Sequence, residues 1–154
     1  MKKTIILMFI LAIIISCNKK PIVVEDTSVP QKNEAKQIQN EMCYEGILNK
    51  DTVAMSLKME GDKVFGTLTY NYFEKDKNTG TINGIMKGDS LIADYTFNSE
   101  GKTSIRQVIF FKKGNTLTEG YGEIIDNNNG KSVFKNLEKI KFDAKIILTT
   151  KKCD

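Results

Sequence analysis

From Cys43 onward the chain alternates apolar and polar residues with a period of two, and the rhythm persists almost to its end. Val53, Met55, Leu57 and Met59 alternate with Ala54, Ser56, Lys58 and Glu60, the pattern of a strand with one buried face. Val64, Gly66, Leu68, Tyr70 and Tyr72 form a second run, with Phe65 and Phe73 on its other face. Ile82, Gly84 and Met86 follow, then Leu91, Ala93, Tyr95 and Phe97. The stretch from Ser104 to Phe111 is apolar on both faces, and the run from Leu117 to Ile125 carries Leu117 and Tyr121 in phase. A last strand is predicted over about Phe142 to Thr150.

Turn residues separate these runs: Gly61-Asp62, Gly88-Asp89, Gly101, Gly114-Asn115 and Asn129-Gly130. Glycine supplies the positive φ that tight hairpins need. One connection, Glu74 to Thr79, is longer and more charged. Val133, Leu137 and Ile140 recur at helical spacing, which suits one short helix before the last strand, although Val133-Phe134 also suits a strand. Short connections favour sequential antiparallel pairing. Seven or eight strands in residues 42–154 would curl, and closure removes their exposed edges. The expected fold is therefore all-β: one antiparallel up-and-down β-barrel of about eight strands. That length suits one globular unit.

The amino terminus has a different character. Met1-Lys2-Lys3 precedes an apolar run from Thr4 to Ile15, a positive n-region followed by an h-region. As a helix the run reaches roughly 18 Å, short of the ~30 Å hydrocarbon core. Ile15-Ser16 lacks the small-residue pattern of ordinary secretory cleavage. Ile14-Ile15-Ser16-Cys17 resembles a bacterial lipobox. The resemblance implies lipid transfer to the Cys17 thiol, cleavage before Cys17, acylation of the new amino terminus, and a membrane partner reached through that anchor. It divides the chain into a signal peptide (1–16), a lipidated cysteine with its tether (17–41) and a β-domain (42–154).

Residue 18 is Asn. By resemblance to the sorting rules of Gram-negative lipoproteins, Asp there would favour the inner membrane, so the outer membrane is expected. Lys19 and Lys20 stand where surface-export signals carry acids, and Glu25-Asp26 come late, which favours the periplasmic face. Residues 18–41 hold both prolines and mixed charges. Such a stretch cannot bury enough apolar surface to offset its ordering entropy.

With Cys17 lipidated, Cys43 and Cys153 remain in an oxidising compartment, one on each side of the β-domain. A disulfide is the expected pairing. The rival, a metal-binding thiol pair, lacks partners because the chain contains no histidine. If the first and last strands pair antiparallel, the two cysteines meet at the seam of the barrel.

Taken with its turns, the domain resembles the small up-and-down barrels of the lipocalin and avidin type, and also the Gly-punctuated β-domains of Gram-negative envelope lipoproteins. The lipocalin Gly-x-Trp signature is absent, since there is no tryptophan. No binding residue carries over from either group.

The absence of histidine and of a free thiol removes the commonest general bases, metal ligands and nucleophiles, so no catalytic residue, metal or cofactor is expected. Basic and acidic residues nearly balance, 23 against 19, which argues against a nucleic-acid surface. Arg106 is the one arginine in a lysine-rich chain, and its planar guanidinium alone offers bidentate pairing with a carboxylate. Its strand neighbours are apolar. It is expected either to pair with Glu119 or Glu123, or to meet an acidic ligand in a pocket walled by Tyr70, Tyr95 and Tyr121. The two glycines of Glu119-Gly120-Tyr121-Gly122-Glu123 need a steric reason within a strand. Glu119 and Glu123 on one strand face would stand roughly 13 Å apart, beyond glycosidase spacing.

The functional expectation is a non-enzymatic envelope lipoprotein whose barrel binds a small amphipathic or acidic ligand or a periplasmic protein. A structural lipoprotein with a filled barrel is the alternative, and a hydrolase is third.

Overall fold

The computed structural model describes residues 41–99 and 101–153. The expected signal peptide, Cys17 and nearly all of the tether lie outside the described residues.

The sequence forms strands wherever it alternates. In chain order they are β1 (Met42–Leu48), β2 (Asp51–Glu60), β3 (Lys63–Asn71), β4 (Asn78–Lys87) and β5 (Ser90–Ser99). Then come β6 (Lys102–Lys113), β7 (Thr116–Glu119), β8 (Ile124–Asp126), β9 (Lys131–Phe134) and β10 (Ile147–Lys151). β1 to β7 pair in sequence, each antiparallel to the next. β10 then pairs antiparallel with both β7 and β1. The result is a closed eight-stranded barrel with two extra strands, as the strand pattern predicts.

Closure brings Cys43 opposite Lys151. Cys43 and Cys153 lie at disulfide distance, with Cα atoms 5.2 Å apart.

Antiparallel alternation sorts the connections to two ends. One end gathers the tight β2–β3, β4–β5 and β6–β7 turns together with the start of β1. Here Gly61, Gly88 and Gly114 adopt φ of 60°, 59° and 58°. The other end, the mouth, gathers the β1–β2 hairpin, the longer β3–β4 connection, the β5–β6 turn, the exit of β7 and the entry of β10. The tight-turn end is filled by Tyr44, Met55, Leu57, Val64, Leu91, Phe110, Leu117 and Leu148, all buried. Leu68, Ile82 and Val108, also buried, close the interior beneath the mouth.

Three expectations are corrected. The predicted strand from Leu117 to Ile125 is broken. β7 ends at Glu119, the Gly120 N–H donates to the Ile109 carbonyl at 2.8 Å, and Tyr121 bridges to Lys141. The chain thus leaves the barrel, and β8 and β9 form a small ribbon outside it. β9 runs parallel to β6, with Arg106 opposite Ser132, so it takes up the part of the β6 edge that β7 does not reach.

The short helix is a single 3-10 turn at Leu137–Lys139, capped by the Asn136 side chain, which accepts from the Glu138 N–H at 2.8 Å. None of its residues is buried, and a helix this short without a buried face has no tertiary packing to sustain it. Val133 and Phe134 belong to β9.

Finally, β10 begins at Ile147 rather than Phe142. Lys141 is engaged by Tyr121, and the Phe142 ring packs 5.5 Å from that of Phe111.

Candidate functional site at the barrel mouth

The inward phase of β3, β5, β6 and β7 carries apolar side chains through the body of the barrel and then changes chemistry at the mouth. Tyr70 and Tyr72 end the β3 stripe, Tyr95 and Phe97 the β5 stripe, Arg106 stands on β6 and Glu119 closes β7. Cross-strand register sets Tyr95 opposite Arg106 and Tyr70 opposite Asn78.

Glu119 is the one buried charged residue among those described, 5 % exposed. The Tyr70 hydroxyl donates to its Oε1 at 2.6 Å, and the Tyr121 hydroxyl donates to its Oε2 at 3.2 Å. Arg106 Nη2 stands 4.0 Å from Oε1, at the limit of an ion pair and beyond hydrogen-bond reach. The guanidinium carbon lies 5.0 Å from the Tyr70 ring centre and 5.5 Å from that of Tyr95, within cation–π range. Tyr95 meets Tyr70 edge-on at 5.7 Å and stacks on Phe97 at 4.7 Å.

Burial disfavours charge on every acid here. It raises Glu119 above the ordinary carboxylate range, against the opposing pull of the Tyr70 hydrogen bond, Arg106 and Tyr121. Burial also pushes Tyr95 up to about 12, although Arg106 lowers it. Burial and then the Glu119 charge raise Tyr70 and Tyr121. The tyrosines therefore remain neutral hydrogen-bond donors.

Two cavities open beside this cluster and share Tyr72. One, of about 240 Å³, is lined by Tyr70, Tyr72, Asn78, Tyr95, Phe97 and Arg106. The other, of about 380 Å³, is lined by Glu119, Tyr121 and Tyr72 with Asp51, Asp143 and Lys145 among its polar walls. The Tyr95 hydroxyl and Arg106 Nε are buried and without hydrogen-bond partners among the described residues.

Arg106, Glu119, Tyr70, Tyr95 and Tyr121 are thus brought together. Glu123 is not. It sits outside the barrel in an exposed pair with Lys135 at 2.7 Å, because the chain has turned away after Glu119. The break also removes the shared strand face on which Glu119 and Glu123 were expected. Gly120 and Gly122 admit the returning segment. A Cβ on Gly120 would collide with the side chain of Ile140 and lie 2.7 Å from Phe142 Cε1, and one on Gly122 would lie 2.7 Å from Ile140 Cδ1.

Sequence reasoning did not place Tyr72, Phe97 or Asn78 in the site. Tyr72 and Phe97 continue the inward stripes of Tyr70 and Tyr95 by one period, so extending each stripe finds them. Asn78 needs the β3–β4 register, which a longer connection does not fix.

Among the described residues, no group of three or more His, Cys, Asp or Glu side chains is placed to hold a metal. Comparisons with protein-family models, with curated proteins and with solved structures find no match to this chain.

Proposed function

We propose that this chain is a lipid-anchored extracytoplasmic protein whose barrel binds a small amphipathic or acidic ligand at its mouth. The carrying observation is the pair of cavities that share Tyr72, one walled by Tyr70, Tyr95, Phe97 and Arg106 and the other by Glu119 and Tyr121. Small-ligand sites combine an aromatic, concave wall with a few convergent polar groups, and eight-stranded barrels leave room for side chains or one small ligand. The lipobox-like Ile14–Cys17 supplies the anchor in this reading, and Asn18 the outer membrane. The filled tight-turn half of the barrel favours a second reading, a structural envelope component with no ligand.

The two separate by NMR on the full chain in non-ionic detergent, following the Tyr70, Tyr72 and Tyr95 rings while small acids, amphiphiles and neutral compounds are added. Saturable shifts confined to those rings support the binding barrel. A panel that leaves them unmoved at millimolar concentration supports the structural component.

A further inference from the structure

The barrel closes on itself, but the ribbon outside it ends in a free edge. β9 lies between β6 and β8, so β8 is the last strand of the sheet. The ribbon's hydrogen bonds show which way its backbone groups point. Asn127 N–H donates to the Lys131 carbonyl and Lys135 N–H to the Glu123 carbonyl, each at 2.9 Å. Bonded pairs alternate with unbonded ones in an antiparallel ladder, so Ile125, opposite Val133, also turns its groups to β9. Ile124 and Asp126 turn theirs the other way. Phe134, opposite Ile124, obeys the same alternation, since its N–H leaves the ribbon to donate to Gln107 Oε1 at 3.2 Å. The N–H and C=O groups of Ile124 and Asp126 thus line the free edge, with no backbone partner among the described residues.

The side chains at this edge are apolar and exposed. Ile124 is 50 % and Ile125 45 % exposed, on opposite faces of the strand. Ile125 shares its face with Val133 and, through the parallel pairing of β9 with β6, with the exposed Ile105. An apolar strip therefore crosses the outside of the ribbon and stops at the edge. Lysine and proline, which commonly guard such edges, are absent from β8. Its one acid, Asp126, is held toward β9 by the Ser132 hydroxyl, which donates to Oδ1 at 2.7 Å. The Asn127 side chain accepts from the N–H groups of Asn129 and Lys131, both at 3.0 Å. This fixes the end of β8, so little ordering entropy opposes the docking of another strand.

Symmetry selects the occupant. The free groups stand one residue to either side of Ile125. A second copy, turned by a two-fold axis at Ile125, sets Ile124 against Asp126 of the other copy and Asp126 against its Ile124, which satisfies the free groups of both edges at once. Ile125 meets its own counterpart as the central unbonded pair, the kind in which side chains approach closest. The two apolar strips join there. In this register Glu123 falls opposite Asn127, and no acid faces an acid. Moving the copy by one residue sets Glu123 against Asp126 and puts the free groups out of phase, so charge and backbone select the same register.

We infer that β8 is a self-association edge, at which two copies of this chain pair antiparallel about Ile125. One short strand and its strip bury far less than the roughly 1,200–2,000 Å² of stable complexes, so the dimer is weak, with a Kd of roughly micromolar to millimolar. The inference is independent of ligand binding at the mouth.

The test is sedimentation equilibrium of the full chain in density-matched non-ionic detergent, with micelles in excess and protein concentration raised stepwise. Wild type shows a concentration-dependent equilibrium between monomer and dimer. Ile125→Lys and Ile125→Glu each set like charges against one another at the axis and weaken the dimer about tenfold or more. Mixed in equal amounts, the two variants pair with each other and the dimer returns. Both substitutions fall on an exposed side chain, and circular dichroism checks that the fold is kept. Wild type that stays monomeric at millimolar concentration overturns the inference, as does a dimer that survives Ile125→Lys or a mixture of the two variants that stays monomeric. Amide shifts at Ile124 and Asp126 on adding an unrelated extended peptide, with wild type monomeric, would assign the edge to a different protein and overturn it equally.

Discussion

The Tyr70 hydroxyl donates to Glu119 Oε1 across 2.6 Å, joining residues 49 positions apart and tying β3 to β7 through the barrel interior. Glu119 is buried, so each partner it holds lowers the cost of keeping a carboxylate there. Tyr70→Phe removes the shortest of them. Chemical denaturation of this variant is expected to show a loss of about 1–3 kcal/mol, and a double-mutant cycle with Glu119→Leu, which removes the acceptor, a coupling above ~0.5 kcal/mol. Independent, additive effects would show that the hydrogen bond carries no stability.

Stability should depend on pH through Glu119. Burial raises its native value above the ordinary one, so across the interval between the two the native state binds more protons than the unfolded chain. The stability linked to the protonated carboxyl is complete below the ordinary carboxylate range and is lost as pH rises through the raised native value. Denaturation midpoints measured across that interval should fall with rising pH, and Glu119→Gln should flatten the dependence. A midpoint that rises in wild type and in Glu119→Gln alike would assign the dependence to other carboxylates.

The strand body of the barrel was legible because alternation and turn chemistry agree there. From Val53 to Phe97 each run has one dominant apolar phase, and most are bounded by a turn glycine, so local and global preferences coincide. The segment from Gly120 to Ile146 was not legible, and the reason is tertiary. Tyr121 leaves the barrel to meet Lys141, and the side chains of Ile140 and Phe142 stand over Gly120, contacts between residues about twenty positions apart that no short-range period encodes. The arginine was conspicuous by composition, yet its inward aim follows from the β6 phase and its proximity to Glu119 from barrel closure. Glu123 shares the motif of Glu119 but not its place, since the strand both seemed to occupy ends between them.

The glycine at the break is sterically required. In Gly120→Ala the new methyl meets Ile140, Phe142 and Ile109 side chains, and overpacking of this kind costs about 1–3 kcal/mol. Gly120→Ala should lower the denaturation midpoint and expose the Ile109 region to hydrogen exchange. A stability unchanged from wild type would mean that the outer segment is not seated on the barrel as described.

The seam cysteines make a covalent prediction. Intact mass of the non-reduced protein should be two hydrogens lighter than that of the reduced form. Paired replacement by serine should cost up to ~4.7 kcal/mol, the chain-entropy value for a closed loop of this order, here 110 residues in separation. Free thiols at both positions in periplasmically purified protein would contradict the pairing.

Lipidation is read out by labelling. Cys17→Ala should abolish acyl incorporation and leave the chain unprocessed or released from membranes. Partition of a correctly processed Cys17→Ala protein with membranes would contradict the anchor.

The most direct test of the binding barrel is the stability of wild type and Arg106→Gln, each with and without benzoate, a small acid with an apolar ring. The Arg106 side chain is 35 % exposed and its pair with Glu119 is long, so its own contribution to folding should be no more than about 1 kcal/mol. A ligand bound by the native state alone adds about 2.7 kcal/mol at a hundred times its Kd. Added acid should raise the wild-type midpoint, and Arg106→Gln should fold with nearly wild-type stability but gain little from the acid. A loss of about 3 kcal/mol or more in Arg106→Gln, with no stabilisation of wild type by the acid, would make Arg106 a structural ion-pair partner and contradict the binding barrel.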